Sequence, residues 1–421
     1  MKNPHRLIGA WLSAAVLAAC GGNNNLSSST PMSVAPSLRS QPALGPPGTR
    51  KATLTETVLY SFQGGTDGIS PYYGSLIYRG GELYGTTSAG GHAGRGTAFK
   101  ITPAGAYTEI YAFAYDGWTP EAGLTSRSNS GQNLFTTTNR NGANNYGTVV
   151  KITTAGKGKL LYSFAGGNDG ASPIGGLTNV GGTLYGTTTA GGGTGCGGNG
   201  CGTVFSITAS GTESVLYSFV GGSDGANPYA ELTNVHGTLY GTTFAGGADN
   251  TGTIFKITTT GAYSQLYSFA GGGDGSNPRG ALLRVGSTLY GTTVNGGTGC
   301  SGSGGCGTVF KITTSGAYGQ LYSFRAVGGD GSNPTGGLLL VGRALYGTTA
   351  YAGASNNGTV FKITTSGTET VLYRFAGGSD GANPLAGLTN VNGTLYGTTS
   401  DGGTGCGGSG GCGTVYSLTG F

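Results

Sequence analysis

Charge is scarce in this chain. Lys, Arg, Asp and Glu together supply only 9% of its 421 residues. That composition argues against nucleic-acid binding, which depends on a basic face. The formal charge of +5 falls to +3 without Lys2 and Arg6, and so implies no special partner. Histidine is nearly missing: His5, His92 and His236 are all there are. Constellations for His-based catalysis or metal ligation are correspondingly thin, and no cofactor is expected. Cysteine is confined to Cys20 and three close pairs. The apolar run from Leu7 to Leu17 is too short for a comfortable membrane span.

Glycine is abundant, at 91 residues, and it punctuates a repeat. Leu184-Tyr-Gly-Thr-Thr188 is followed by Gly202-Thr-Val-Phe205 and then by Leu216-Tyr-Ser-Phe219. The last phrase starts at Leu59, Ile110, Leu161, Leu216, Leu266, Leu321 and Leu372, in steps of 51, 51, 55, 50, 55 and 51 residues. The first starts at Leu83, Leu134, Leu184, Leu239, Leu289, Leu345 and Leu395. The middle one starts at Gly96, Gly147, Gly202, Gly252, Gly307, Gly358 and Gly413. A period near 50 made of short β-type phrases points to a propeller or a solenoid.

Each period holds four strands, the first being the 176–180 type of segment. All are rich in Val, Ile, Thr, Tyr and Phe and bounded by Gly, Asn and Ser. Both faces of these strands carry bulk, as blades stacked in a ring require and a two-sheet sandwich does not. The phrases are also permuted. The repeat region opens with the fourth strand of a blade (59–62) and closes at Gly413–Thr419 with a third strand lacking its fourth. The N-terminal strand therefore completes the last blade and hides the edges a linear array would expose. A seven-bladed β-propeller over residues 53–421 is predicted, as a monomer. A right-handed solenoid is the alternative, but it wants atypical caps at its ends.

The N-terminal 19 residues read as an export signal, with Lys2, His5 and Arg6 before the apolar run. Leu17-Ala-Ala-Cys20 resembles the bacterial lipoprotein lipobox, which implies lipidation of Cys20. By the same resemblance, Gly21 after the cysteine favours the outer membrane. Residues 20–52 hold five Pro, many Ser and few apolar residues, and read as a disordered tether. About 30 residues at ~3.1 Å each would reach roughly 90 Å.

Asp-Gly-x-x-Pro joins each blade to the next. Its acids are Asp67, Asp116, Asp169, Asp224, Asp274, Asp330 and Asp380. Turn chemistry accounts for the phrase. A ring of seven carboxylates around one mouth, holding a cation or basic groups, is the sharper reading, although each loop offers only one acid where calcium wants several. The loops between second and third strands carry Cys196 with Cys201, Cys300 with Cys306, and Cys406 with Cys412, expected as disulfides in an exported protein. Loops alternate between the two faces of a four-stranded blade. The Asp and Cys loops therefore share one face with His92, and the tight turns share the other with His236. The variable face is where a ligand is expected. Trp118, Tyr72, Tyr73 and Tyr229 are candidate aromatics for stacking on sugars there, with packing between blades as the alternative. Glu121 and Glu231 each enter a first strand once, near the channel. The second repeat departs most, with Phe135-Thr136 for Tyr-Gly and Val150 for the aromatic.

The phrases Leu-Tyr-Gly-Thr-Thr and Gly-Thr-Val-Phe-Lys-Ile resemble the GloVer-type tandem repeat of exported bacterial proteins with assorted anchors. The resemblance spans residues 53–421. It implies export and surface attachment, and it brings no catalytic residues. The function expected is a lipid-anchored envelope binding or scaffold module, contacting the membrane through its lipid and a surface polymer or protein through its loops. An enzyme acting on an extracellular glycan, or a purely structural surface protein, are the alternatives.

Overall fold

The computed structural model describes residues 53–127, 131–300, 304–407 and 410–421. The signal, Cys20 and the tether all lie outside the described residues. The rest is all-β, in seven antiparallel blades of four strands around one channel. The third blade is typical, with strands Thr178–Val180, Thr183–Thr188, Thr203–Ile207 and Glu213–Ser218 paired in sequence order. The first strand begins at Thr178 rather than at 176. The fifth blade adds Ser276–Pro278 against the end of its lengthened second strand, Thr288–Asn295.

The permutation closes the ring. Thr55–Ser61 pairs antiparallel with Thr414–Thr419, which pairs with Thr394–Thr399, which pairs with Thr389–Val391. The seventh blade is thus built from both ends of the folded region. Its first strand touches that of the first blade, and Thr389 donates from its hydroxyl to the Leu76 carbonyl across that junction. The same bond recurs elsewhere around the channel, as Thr125 to Leu177 at 2.6 Å and Thr233 to Leu282 at 2.5 Å.

The packing explains each letter of Leu-Tyr-Gly-Thr-Thr. Leu184 is wholly buried, and Tyr185 packs toward the fourth blade with Leu232, Leu239 and Phe255. Gly186 lies opposite Phe205, and a β-carbon there would stand 2.6 Å from the Phe205 ring and 2.8 Å from Leu177. Thr187 donates to the Ala230 carbonyl of the next blade, and Thr188 pairs with Thr203 at 2.8 Å. The Thr–Thr pair recurs in all seven blades. Every hydrophobic cluster spans two neighbouring blades, so the blades hold one another rather than standing alone.

The second blade keeps this logic by a compensated exchange. Thr136 stands where the other blades have Gly, and its partner across the strands is Val150, where they have an aromatic. Both are fully buried. The larger residue on one strand is matched by a smaller one on the next, so the divergence conserves volume.

Candidate functional site

Each Asp of the Asp-Gly-x-x-Pro loops is engaged within its own loop. Asp67 accepts the Tyr60 hydroxyl at 2.7 Å and the Gln63 N–H at 2.8 Å. Asp224 accepts from Tyr217 and Val220 at 2.6 and 2.9 Å, and Asp274 from Tyr267 and Ala270 at 2.9 Å each. Asp116, Asp169, Asp330 and Asp380 hold the equivalent Tyr hydroxyl and N–H. The donor is the Tyr of Leu-Tyr-Ser-Phe, so strand and loop are tied through one carboxylate. None of the seven lines the channel cavity. Among the described residues no three His, Cys, Asp or Glu come together as a metal site.

A second residue completes this turn from the neighbouring blade. Tyr107, Tyr263 and Tyr318 stack on Tyr60, Tyr217 and Tyr267 at 4.0 to 4.3 Å. Each donates to the backbone carbonyl of the loop Asp. At three other junctions a Glu takes that place: Glu56 beside Asp380, Glu213 beside Asp169, and Glu369 beside Asp330. Burial, then the neighbouring Asp charge, pushes each Glu up to about 7. A carboxyl raised in the folded state binds its proton more tightly there than in the unfolded chain. Its stabilisation is complete below the ordinary Glu range and is lost as pH rises through about 7. The melting temperature is therefore expected to fall from pH 5 to pH 8. Replacing all three Glu by Gln should flatten that slope; an unchanged slope would remove these sites as its source.

The disulfides Cys196–Cys201, Cys300–Cys306 and Cys406–Cys412 are formed on the same face. The sulfurs of Cys196–Cys201 and Cys406–Cys412 lie against the Gly-Gly turns before the Asp: a β-carbon on Gly221 would stand 3.0 Å from the Cys201 sulfur, with φ at +79°. Disulfides mark a protein of an oxidising compartment, outside the cell or in its envelope. Among the described residues no helix is long and apolar enough to cross a membrane. His92 lies 3.7 Å from Glu109, whereas His236 meets Arg284.

The channel is where the repeats part company. The residues after the loop Pro are Tyr72-Tyr73, Glu121, Ile174, Tyr229, Arg279, Thr335 and Leu385. Most of them line a cavity of about 150 Å³, floored by the small residues that follow. The Arg279 guanidinium lies 3.8 Å from the centre of the Tyr73 ring and 4.8 Å from that of Tyr229. Glu121 accepts from Asn139 at 3.3 Å, and burial raises its pKa. Glu231 stands deeper, where the other repeats carry small residues, and lines both this cavity and a second one bounded by Tyr78, Arg79 and Ser126. Burial pushes its carboxyl up to about 7. The structure thus brings Glu121, Glu231, Tyr73 and Tyr229 to one channel. Trp118 stands apart, half exposed, with Arg95 at 5.2 Å from its ring and at 5.2 Å from that of Tyr115. The sequence reading missed Arg279. The signal was available: it is the one cation among the seven residues after the loop Pro.

These features define a closed, disulfide-bearing seven-bladed propeller with an asymmetric channel mouth. The profile of the Gloeobacter/Verrucomicrobia repeat matches residues 48–199 and 196–416, and the chain belongs to that family. No curated protein matches the chain. Among solved structures it is similar to a candidate 6-phosphogluconolactonase from Bacteroides uniformis, at 17% identity and a TM-score of 0.51, over 76% of this chain and 89% of that one. It is also similar to the GH74 enzyme of Niastella koreensis, at 16% identity and a TM-score of 0.51, over 76% of this chain and 48% of that one. At such identities the likeness is one of fold alone.

Proposed function

We propose that this propeller is an envelope binding module, lipid-anchored through Cys20 in the outer membrane, that takes a surface polymer at the channel mouth. The observation that carries the reading is the asymmetry after the loop Pro. Leu, Tyr, Gly, Thr and Asp recur because packing and turns need them. The residues that meet in the cavity differ from repeat to repeat and include both charges and aromatics. A convergent set of unlike polar groups in a concave site is the usual mark of ligand binding.

The test is an array of glycans and cell-wall polymers probed with the purified chain. Specific binding that Tyr229→Ala abolishes and Trp118→Ala leaves intact is the expected result. Binding to nothing, or binding indifferent to Tyr229, would turn the reading toward a structural surface protein. Glu121 and Glu231 on one cavity favour a second reading, a glycan-active enzyme using carboxylates. Turnover of a bound polymer, lost in Glu121→Gln and Glu231→Gln, would establish it. The anchor is tested by Cys20→Ser, which should move the protein from the membrane fraction to the soluble one.

A further inference from the structure

We propose that Arg279 makes the channel mouth a site for a carboxylate carried on a six-membered sugar ring, that is, a uronic acid unit; this deepens the binding-module reading and rests on it. The guanidinium lines the cavity, and its Nε is shut from solvent with no partner. No hydrogen bond or ion pair to a described residue engages the rest of the group. The faces of Tyr73 and Tyr229 support it, and the Glu121 carboxylate attracts it without a direct ion pair. Charges withdrawn from water are normally paired. Here a planar fork of donors is held by its faces, and its edge is left free. That is the arrangement which presents Arg to a planar, two-oxygen anion.

Glu121 lines the same cavity, yet lies beyond ion-pair distance of Arg279. The fork therefore stays available, and the acid remains as a partner for a hydroxyl. The cavity, at about 150 Å³, is of the size that accepts a single six-membered ring. Its floor is backbone and small residues, Gly74, Gly123, Gly175 and Gly280 among them, which lets a ring lie close to the innermost strands. The sequence contains no second cation after a loop Pro, so one anion is taken per propeller.

The experiment is calorimetric titration of the purified chain with galacturonate, galactose and inorganic phosphate. Galacturonate is expected to bind, and galactose to bind about ten- to hundred-fold more weakly, the ratio that a charge-assisted pair supports. Arg279→Gln should abolish galacturonate binding without changing the melting temperature. Arg279→Lys keeps the charge but loses the fork, and should be weak. Equal affinity for galactose, or a wild-type titration in Arg279→Gln, would overturn the proposal. Phosphate displacing galacturonate at equal concentration would overturn the sugar assignment. Polymer binding on the array that survives Arg279→Gln would remove this inference and leave the binding module standing. A saturable, Arg279-dependent titration with no polymer bound would keep the site and remove that module's polymer.

Discussion

A chain that starts at Gln63 is expected not to form the monomeric propeller. It lacks Thr55–Ser61, the strand that pairs along Thr414–Thr419, and it lacks Phe62, which is wholly buried between the seventh and first blades. Losing a buried Phe alone costs about 3–5 kcal/mol, against a total stability of roughly 5–15 kcal/mol. The truncation also opens the backbone of Thr414–Thr419 as an unpaired edge. Size exclusion and thermal melting, compared with a chain starting at residue 53, provide the check. Aggregation or a collapsed melting temperature is expected, with partial rescue by a peptide of residues 53–62 added in trans. A monomer with the same melting temperature would show that the ring does not depend on this closure.

The second large effect lies in the divergent blade. Val150→Phe by itself forces an aromatic ring against Thr136, the residue paired with it across the strands. Overpacking of this kind costs about 1–3 kcal/mol. Thr136→Gly by itself opens a void beside Val150 and adds backbone freedom in a strand, and is likewise destabilising. The double variant recreates the Gly186–Phe205 arrangement of the third blade, including the space that the glycine leaves for the ring. It should be close to wild type, with a coupling energy of about 1–3 kcal/mol from chemical unfolding. Additive losses would mean the two positions are independent, and the exchange mere drift.

That pair shows where reading from sequence stops. Both substitutions are visible in the second repeat, but as two separate departures, because their partnership runs across strands rather than along the chain. The Tyr–Asp bond is similar. Tyr60 and Asp67 stand seven residues apart, as do Tyr217 and Asp224, and this spacing recurs with small variation. Only the turn of the chain shows that the hydroxyl meets the carboxylate, and so spends each Asp within its own loop. A ring of free acids at the mouth is not what these contacts form.

Arg279 illustrates the same limit at the candidate site. In sequence it is one exposed-looking cation among many polar residues. In the ring it meets Tyr73 from the first blade and Tyr229 from the fourth, and loses water from its Nε. The sequence by itself determined the number of blades, their strands, the closing permutation and the cysteine pairs. Those follow from local periodicity and from spacing, which a linear text records. The sequence also put Glu121, Glu231 and the aromatics Tyr73 and Tyr229 near the channel, whereas the tertiary structure alone decided that Arg279 joins them and which charges remain unpaired. Those follow from packing between blades some fifty residues or more apart, which periodicity does not encode.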